Sequence, residues 1–220
     1  MDDEKDKNLP ILHSAKDLTI QFPKPIKQIN SAANKTKELI KNRAAYTPDG
    51  RLYINRRALS HLLATDLKGT RIFYNNLDEE DRLENGKDEY ASVESVQKEA
   101  SKRIQEPRDT LQRERLRYTE GCLKAARDAP ELEKRRELDE SQIRKELPSV
   151  KKKKLKAERV DAITGDPLTE PEVHHKDRVA DNPRRALDPD NLEVLNKDTH
   201  KHIHRQGIET EKDFDEYQKS

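Results

Sequence analysis

The sequence predicts a mainly α protein that ends in a small α+β unit. Three observations lead there. A leucine stripe at helical spacing runs from Leu59 to Ile72. From Ser92 to Glu146 the chain is almost entirely Arg, Lys, Glu, Leu, Ala and Gln, and prolines punctuate it at Pro107, Pro130 and then Pro148. After residue 158 a strand, loop, strand and helix pattern appears. With 40% charged and 31% hydrophobic residues, no Trp and a mean hydropathy of −1.20, the 220-residue chain is expected to bury only a small core, with some segments as extended helices or disordered tails.

Four segments follow. Residues 1–50 read as a weakly structured lead-in with a short helix, 51–148 as a charged helical region, 149–158 as a basic linker and 159–220 as the α+β unit. Met1 to Leu9 is charged and expected to fray, and Phe22-Pro23-Lys24-Pro25 breaks any helix begun by Ile11 to Ile20. Ile29, Ala32, Ala33, Leu39 and Ile40 mark a short amphipathic helix, which the turn Thr47-Pro48-Asp49-Gly50 ends. Arg51 to Ile54 reads as a brief strand. Asn55 caps the next helix, whose Leu59, Leu62, Leu63, Leu67 and Ile72 form a packing stripe. Asn85-Gly86 is a turn in an acidic stretch. Between the prolines of 92–146, Leu111, Leu116, Leu123 and Ala126 keep no clean heptad, so a coiled coil and a solvated helical arm both remain open.

A net charge of +1 excludes a whole-molecule field that would draw the chain onto nucleic acid, so any such affinity is local. Lys151, Lys152, Lys153, Lys154 and Lys156 form the strongest local charge. They read either as a phosphate grip or as a solvated linker or targeting signal. The single Cys122 excludes an intramolecular disulfide and a Cys-rich zinc knuckle. No apolar run approaches the roughly 18 residues of a membrane span, and the acidic start Met1-Asp2-Asp3-Glu4 is unlike a signal peptide. A cytoplasmic protein with no membrane partner is expected.

The chemistry lies between Arg159 and Arg205. Val160 to Thr164 has strand character, Gly165-Asp166-Pro167 is a turn, and Glu172-Val173-His174-His175 precedes a loop over 176–190. Asn191 to Leu195 reads as a second strand. Asp198 or Thr199 then caps a helix of about two turns that Gly207 ends. His200 and His204, four apart, share a helix face, whereas His202 lies roughly 200° around from His200 and is excluded from their site. One imidazole from the first strand and two from the helix could hold a divalent ion and leave a coordination position open. Such nitrogens suit Zn or Ni, while Mg or Mn can operate where phosphate oxygens complete the shell.

Glu172-Val173-His174-His175, then Asp190-Asn191-Leu192-Glu193-Val194, then His200 to Arg205 resemble the HNH, or ββα-metal, endonuclease superfamily, closest in flavour to colicin and pyocin DNases. The resemblance covers roughly the last 60 residues and lacks the Cys-x-x-Cys pairs of many HNH domains. It implies a ββα-metal nuclease domain with one divalent ion on His174, His200 and His204, and His175 as general base. Asn191 would hold the base and its loop. The substrate would be double-stranded DNA, cut to leave a 5′-phosphate.

Glu172 either fixes an imidazole tautomer or is a surface strand residue. Arg184, Arg185 and Arg205 either meet flanking phosphates or are solvated charge. Val160, Ile163, Leu168, Val173, Leu192, Val194, Leu195 and Ile203 are the expected core. Thr210 caps a last helix whose Phe214 and Tyr217 pack onto the unit. The alternative is a helical binding or assembly protein, partnering or self-associating through its N-terminal helices, in which the metal site is structural or degenerate.

Overall fold

In the computed structural model, residues 10–219 are described. The expected frayed segment Met1–Leu9 and the terminal Ser220 lie outside the described residues. Among the described residues the chain is mainly helical with two small antiparallel sheets, and it divides into two compact units after Glu137. No described helix is long and apolar enough to cross a membrane.

The first unit holds a sheet of five short strands: β1 (His13–Ser14), β2 (Ala44–Tyr46), β3 (Leu52–Asn55), β4 (Arg82–Asn85) and β5 (Asp88–Ser92). Their order is β1-β2-β3-β5-β4, with every pairing antiparallel. The helices are α1 (Asn30–Arg43), α2 (Arg56–Leu62), α3 (Leu67–Asn75), α4 (Val93–Gln105), α5 (Thr110–Arg127) and the start of α6 (Pro130–Ala157). Ile40, Leu52, Ile54, Leu59, Leu62, Leu63, Leu116, Leu123 and Leu132 are fully buried between them.

Several sequence expectations change here. Ala15, Leu18 and Ile29 are buried in this core, so the described part of the expected lead-in is an integral part of the unit. The leucine stripe is two helices, not one. Asn55 does cap α2, accepting from the Arg57 amide at 3.0 Å, but Ala64 turns the chain at φ +46° and Asp66 caps α3 through the Gly69 amide at 2.7 Å. The turn rotates the later part of the stripe outward, leaving Leu67 81% and Ile72 54% exposed. Pro148 does not end a helix, and α6 runs through it to Ala157. A proline removes one ladder bond, and the Arg144 carbonyl it frees belongs to an exposed residue that water reaches. The expected basic linker is therefore the last turns of α6.

In the second unit β6 (Pro171–His175) and β7 (Leu192–Asn196) form an antiparallel pair in which His174 faces Glu193 and His175 faces Leu192. α7 (Lys197–Gln206) and α8 (Glu211–Gln218) follow. Leu195, Ile203, Ile208 and Phe214 make the core, with Ala162, Ile163 and Tyr217 against it. Val160 to Thr164 is not a strand. Val160 forms one isolated bridge to Pro167 and is 47% exposed, because the buried Asp161 carboxylate curls this segment by accepting the amides of Ile163 and Thr164. Nor does Asp198 or Thr199 cap α7: the helix starts after Asn196, whose side chain makes no capping bond.

Candidate metal centre

Strand alternation puts Glu172 and His174 on one face of β6, and that face meets α7. On α7 the four-residue spacing stacks His200 over His204, their ring centroids 4.6 Å apart. The His174 ring lies 5.1 Å from that of His200 and 5.3 Å from that of His204. One nitrogen from each of the three falls within 4.8 Å of the others. Phe214, buried on α8, stacks on His174 at 5.6 Å and fixes its plane. His202 points elsewhere, toward Tyr217.

Four features fit this set to a divalent ion. The His174 Nε2 is buried without a hydrogen-bond partner, an arrangement that costs roughly 1–3 kcal/mol unless something occupies it. The His200 Nδ1 lies 2.6 Å from a Glu172 carboxylate oxygen, which can only accept, so Nδ1 carries the proton and Nε2 keeps its lone pair. That Nε2 stands 3.1 Å from the Nε2 of His204, close to the separation of about 3.0–3.4 Å between two nitrogens each about 2.1 Å from one ion. Burial, and then the neighbouring His200 and His204, push the His174 imidazole down to about 4, which keeps it neutral as a ligand at neutral pH.

His175 ends β6, and with the strand finishing there it lines the same open groove of about 270 Å³ as His174, His200 and His204. Its Nε2 is 3.1 Å from the Ala186 carbonyl oxygen, an acceptor only, so Nε2–H donates and Nδ1 retains a lone pair. Burial lowers its pKa, and the Ala186 bond offsets part of that shift. The ring is thus neutral and basic at one defined atom.

The side-chain hydrogen bonds of Asn191 go to the loop and not to the His175 ring. Buried in full, Asn191 accepts the Asp177 amide at 2.7 Å and donates to the carbonyls of Asp177 (3.2 Å) and Arg185 (3.0 Å). It is a positioning residue: it pins the loop that presents the Ala186 carbonyl to His175.

The lysine run is not one patch. At about 100° per residue the helix fans it out. Lys151 lines the groove, Lys154 turns to Glu158 and Glu193 at 3.6 and 3.8 Å, and Lys152, Lys153 and Lys156 face solvent. Arg185 is not available to a phosphate, because its guanidinium is held by Asp177 (2.5 Å), Glu211 (2.5 Å) and Asp188 (3.0 Å). Arg184 and Arg205 are exposed, and neither is among the described residues lining the groove.

Arg178, which the sequence reading did not single out, does line it, paired with Glu209 at 2.8 Å. Asp161 and Asn196 were also missed. The Asp161 carboxylate accepts the Asn196 amide at 2.7 Å, and the Asn196 side chain braces Thr169 and Pro167, so together they fix where α7 begins. The Asp-x-x-Thr-Gly pattern at 161–165 is the turn signal that points to Asp161. Compared with known protein families, with curated proteins and with solved structures, the chain has no match.

Proposed function

We propose that this chain is a metal-dependent HNH-type endonuclease that hydrolyses phosphodiester bonds of DNA. One observation carries the reading: three imidazole nitrogens from β6 and α7 converge within 4.8 Å, and in the same groove His175 carries a lone pair on Nδ1. His174, His200 and His204 would hold a divalent ion, which supplies Lewis acidity toward a phosphodiester oxygen when bound. His175 takes the proton of the attacking water at Nδ1 as the new phosphorus–oxygen bond forms and the bond to the 3′ oxygen breaks, that oxygen taking up a proton from solvent to leave as a hydroxyl. The Ala186 carbonyl holds the tautomer this requires, and Asn191 holds Ala186 in place. Lys151 brings positive charge to a groove that would receive a polyanion.

The test is incubation of the purified protein with supercoiled plasmid, linear DNA and RNA in Mg²⁺, Mn²⁺, Zn²⁺ or Ni²⁺. Plasmid is expected to be nicked or linearised, and EDTA to stop it. His175→Ala should lower cutting by about 10²–10⁴-fold with metal still bound, the range for loss of a general base, whereas His204→Ala should weaken both. If every substrate stays intact with every metal while calorimetry shows the ion bound, the site is a structural clip and the proposal fails.

A further inference from the structure

In the first unit, α2 passes to α3 through the four residues Leu63–Asp66, and the β4–β5 hairpin follows, turning at Gly86 and Lys87. Two short helices joined by such a turn are a helix-turn-helix arrangement, in which the second helix is the one that can enter a groove. α3 is built that way. Thr70 and Tyr74 face the core, while Leu67, Lys68, Arg71, Ile72 and Asn75 are exposed. The hairpin comes beside this helix, since Lys87, Asp88 and Glu89 line one cleft with Leu67, Thr70 and Arg71. A cleft of about 370 Å³, lined by Arg57, Leu67, Arg71 and Lys87, separates the two.

We propose that α3 and the β4–β5 hairpin form a docking face for duplex DNA.

Charge selects the occupant. α3 carries Lys68 and Arg71 and no carboxylate. The acids around the cleft are already engaged: Asp66 caps α3, Asp88 pairs with Arg57 at 3.5 Å, and Glu89 pairs with Arg56. Glu84, on the outer strand, lies on the same face as Arg82. Lys68, Arg71 and Lys87 pair with no carboxylate among the described residues and are the surplus. Asp78, Glu79 and Glu80 follow the other end of α3, with Asp78 on a separate groove, so the cationic end is the N-terminal half of the helix. A helix of about 10–12 Å diameter matches the roughly 12 Å major groove. Lysine and arginine serve phosphates and guanine edges, Asn75 suits an adenine edge, and the exposed Leu67 can meet thymine methyls.

This face lies in a different unit from the histidines and does not rest on the nuclease reading. Binding of the full chain to a fluorescein-labelled duplex of about 30 base pairs, followed by anisotropy in EDTA over about 50–200 mM salt, tests it without cleavage. Lys68→Glu/Arg71→Glu should weaken binding about tenfold or more and lower the salt slope by about two, and Lys87→Glu should lower it by about one. Lys152→Glu/Lys153→Glu, on the second unit, should leave most of the affinity. All these side chains are exposed, and circular dichroism melts check that the folds persist. The proposal is overturned if the α3 double variant binds like the native protein or if the native protein binds no duplex at about 50 mM salt.

Discussion

Single side chains define the chemistry through their tautomers. Two acceptor-only oxygens, the Glu172 carboxylate and the Ala186 carbonyl, decide which nitrogen of His200 and of His175 is left with a lone pair. Glu172→Gln keeps the shape but replaces a charged acceptor, so the affinity for Zn²⁺ or Ni²⁺ should fall about tenfold or more by titration calorimetry. His202→Ala, on the opposite side of α7, should leave that affinity unchanged. Equal affinity in Glu172→Gln and the native protein would remove Glu172 from the site. His202 is a useful control because the same helix carries it two residues from His200 and from His204, yet it faces Tyr217.

Elements are set by their ends. α7 stops at Gly207, whose φ of +69° is reached cheaply only without a side chain. Nothing stands within 4 Å of a β-carbon added there, so Gly207→Ala should cost only the backbone penalty of about 1–2 kcal/mol. Gly50, in the turn between β2 and β3, has φ +83° and also a close neighbour, the Leu132 carbonyl oxygen at 2.7 Å from the added carbon. Gly50→Ala combines the strain with a backbone clash and should destabilise more. Urea denaturation of the two variants checks the order, and an equal or reversed loss would contradict it. The same reasoning explains the divided leucine stripe. Asp66 captures the Gly69 amide, and that cap starts α3 in a new direction.

At the scale of the whole molecule, 45 basic and 44 acidic residues leave almost no net field, so charge works where it is locally unmatched. It also stabilises where it is matched. Asp81 joins elements of the first unit: its carboxylate accepts from the Ser92 and Ser95 hydroxyls at 2.6 Å each and from Arg51 at 2.8 Å. Burial pushes its pKa up, but these partners outweigh that and hold it below the ordinary 3.8. A depressed carboxylate contributes its stability above the unfolded value and loses it as pH falls through the folded one. The first unit should therefore weaken below about pH 4, and Asp81→Asn should flatten that acid limb while lowering stability at pH 7. Matching acid limbs in melts of the two proteins would contradict this.

Sequence alone determined what is local: the shared face of His200 and His204, the Gly207 stop, the caps at Asn55 and Thr210, and the strand ending at His175. Each depends on residues within a few positions, where periodicity and capping chemistry act. Tertiary structure decided the rest. Of the five-stranded sheet only β3 was legible; its strands are two to five residues long, and their order, with β3 pairing β5 and not β4, is set by which distant segments the fold brings together. Arg185 was lost to Glu211, 26 residues away, and Arg178 was gained by the groove. The proton on His175 is placed by a carbonyl 11 residues downstream. Burial and hydrogen-bond satisfaction are properties of the folded whole, and they assign partners that no stretch of chain encodes by itself.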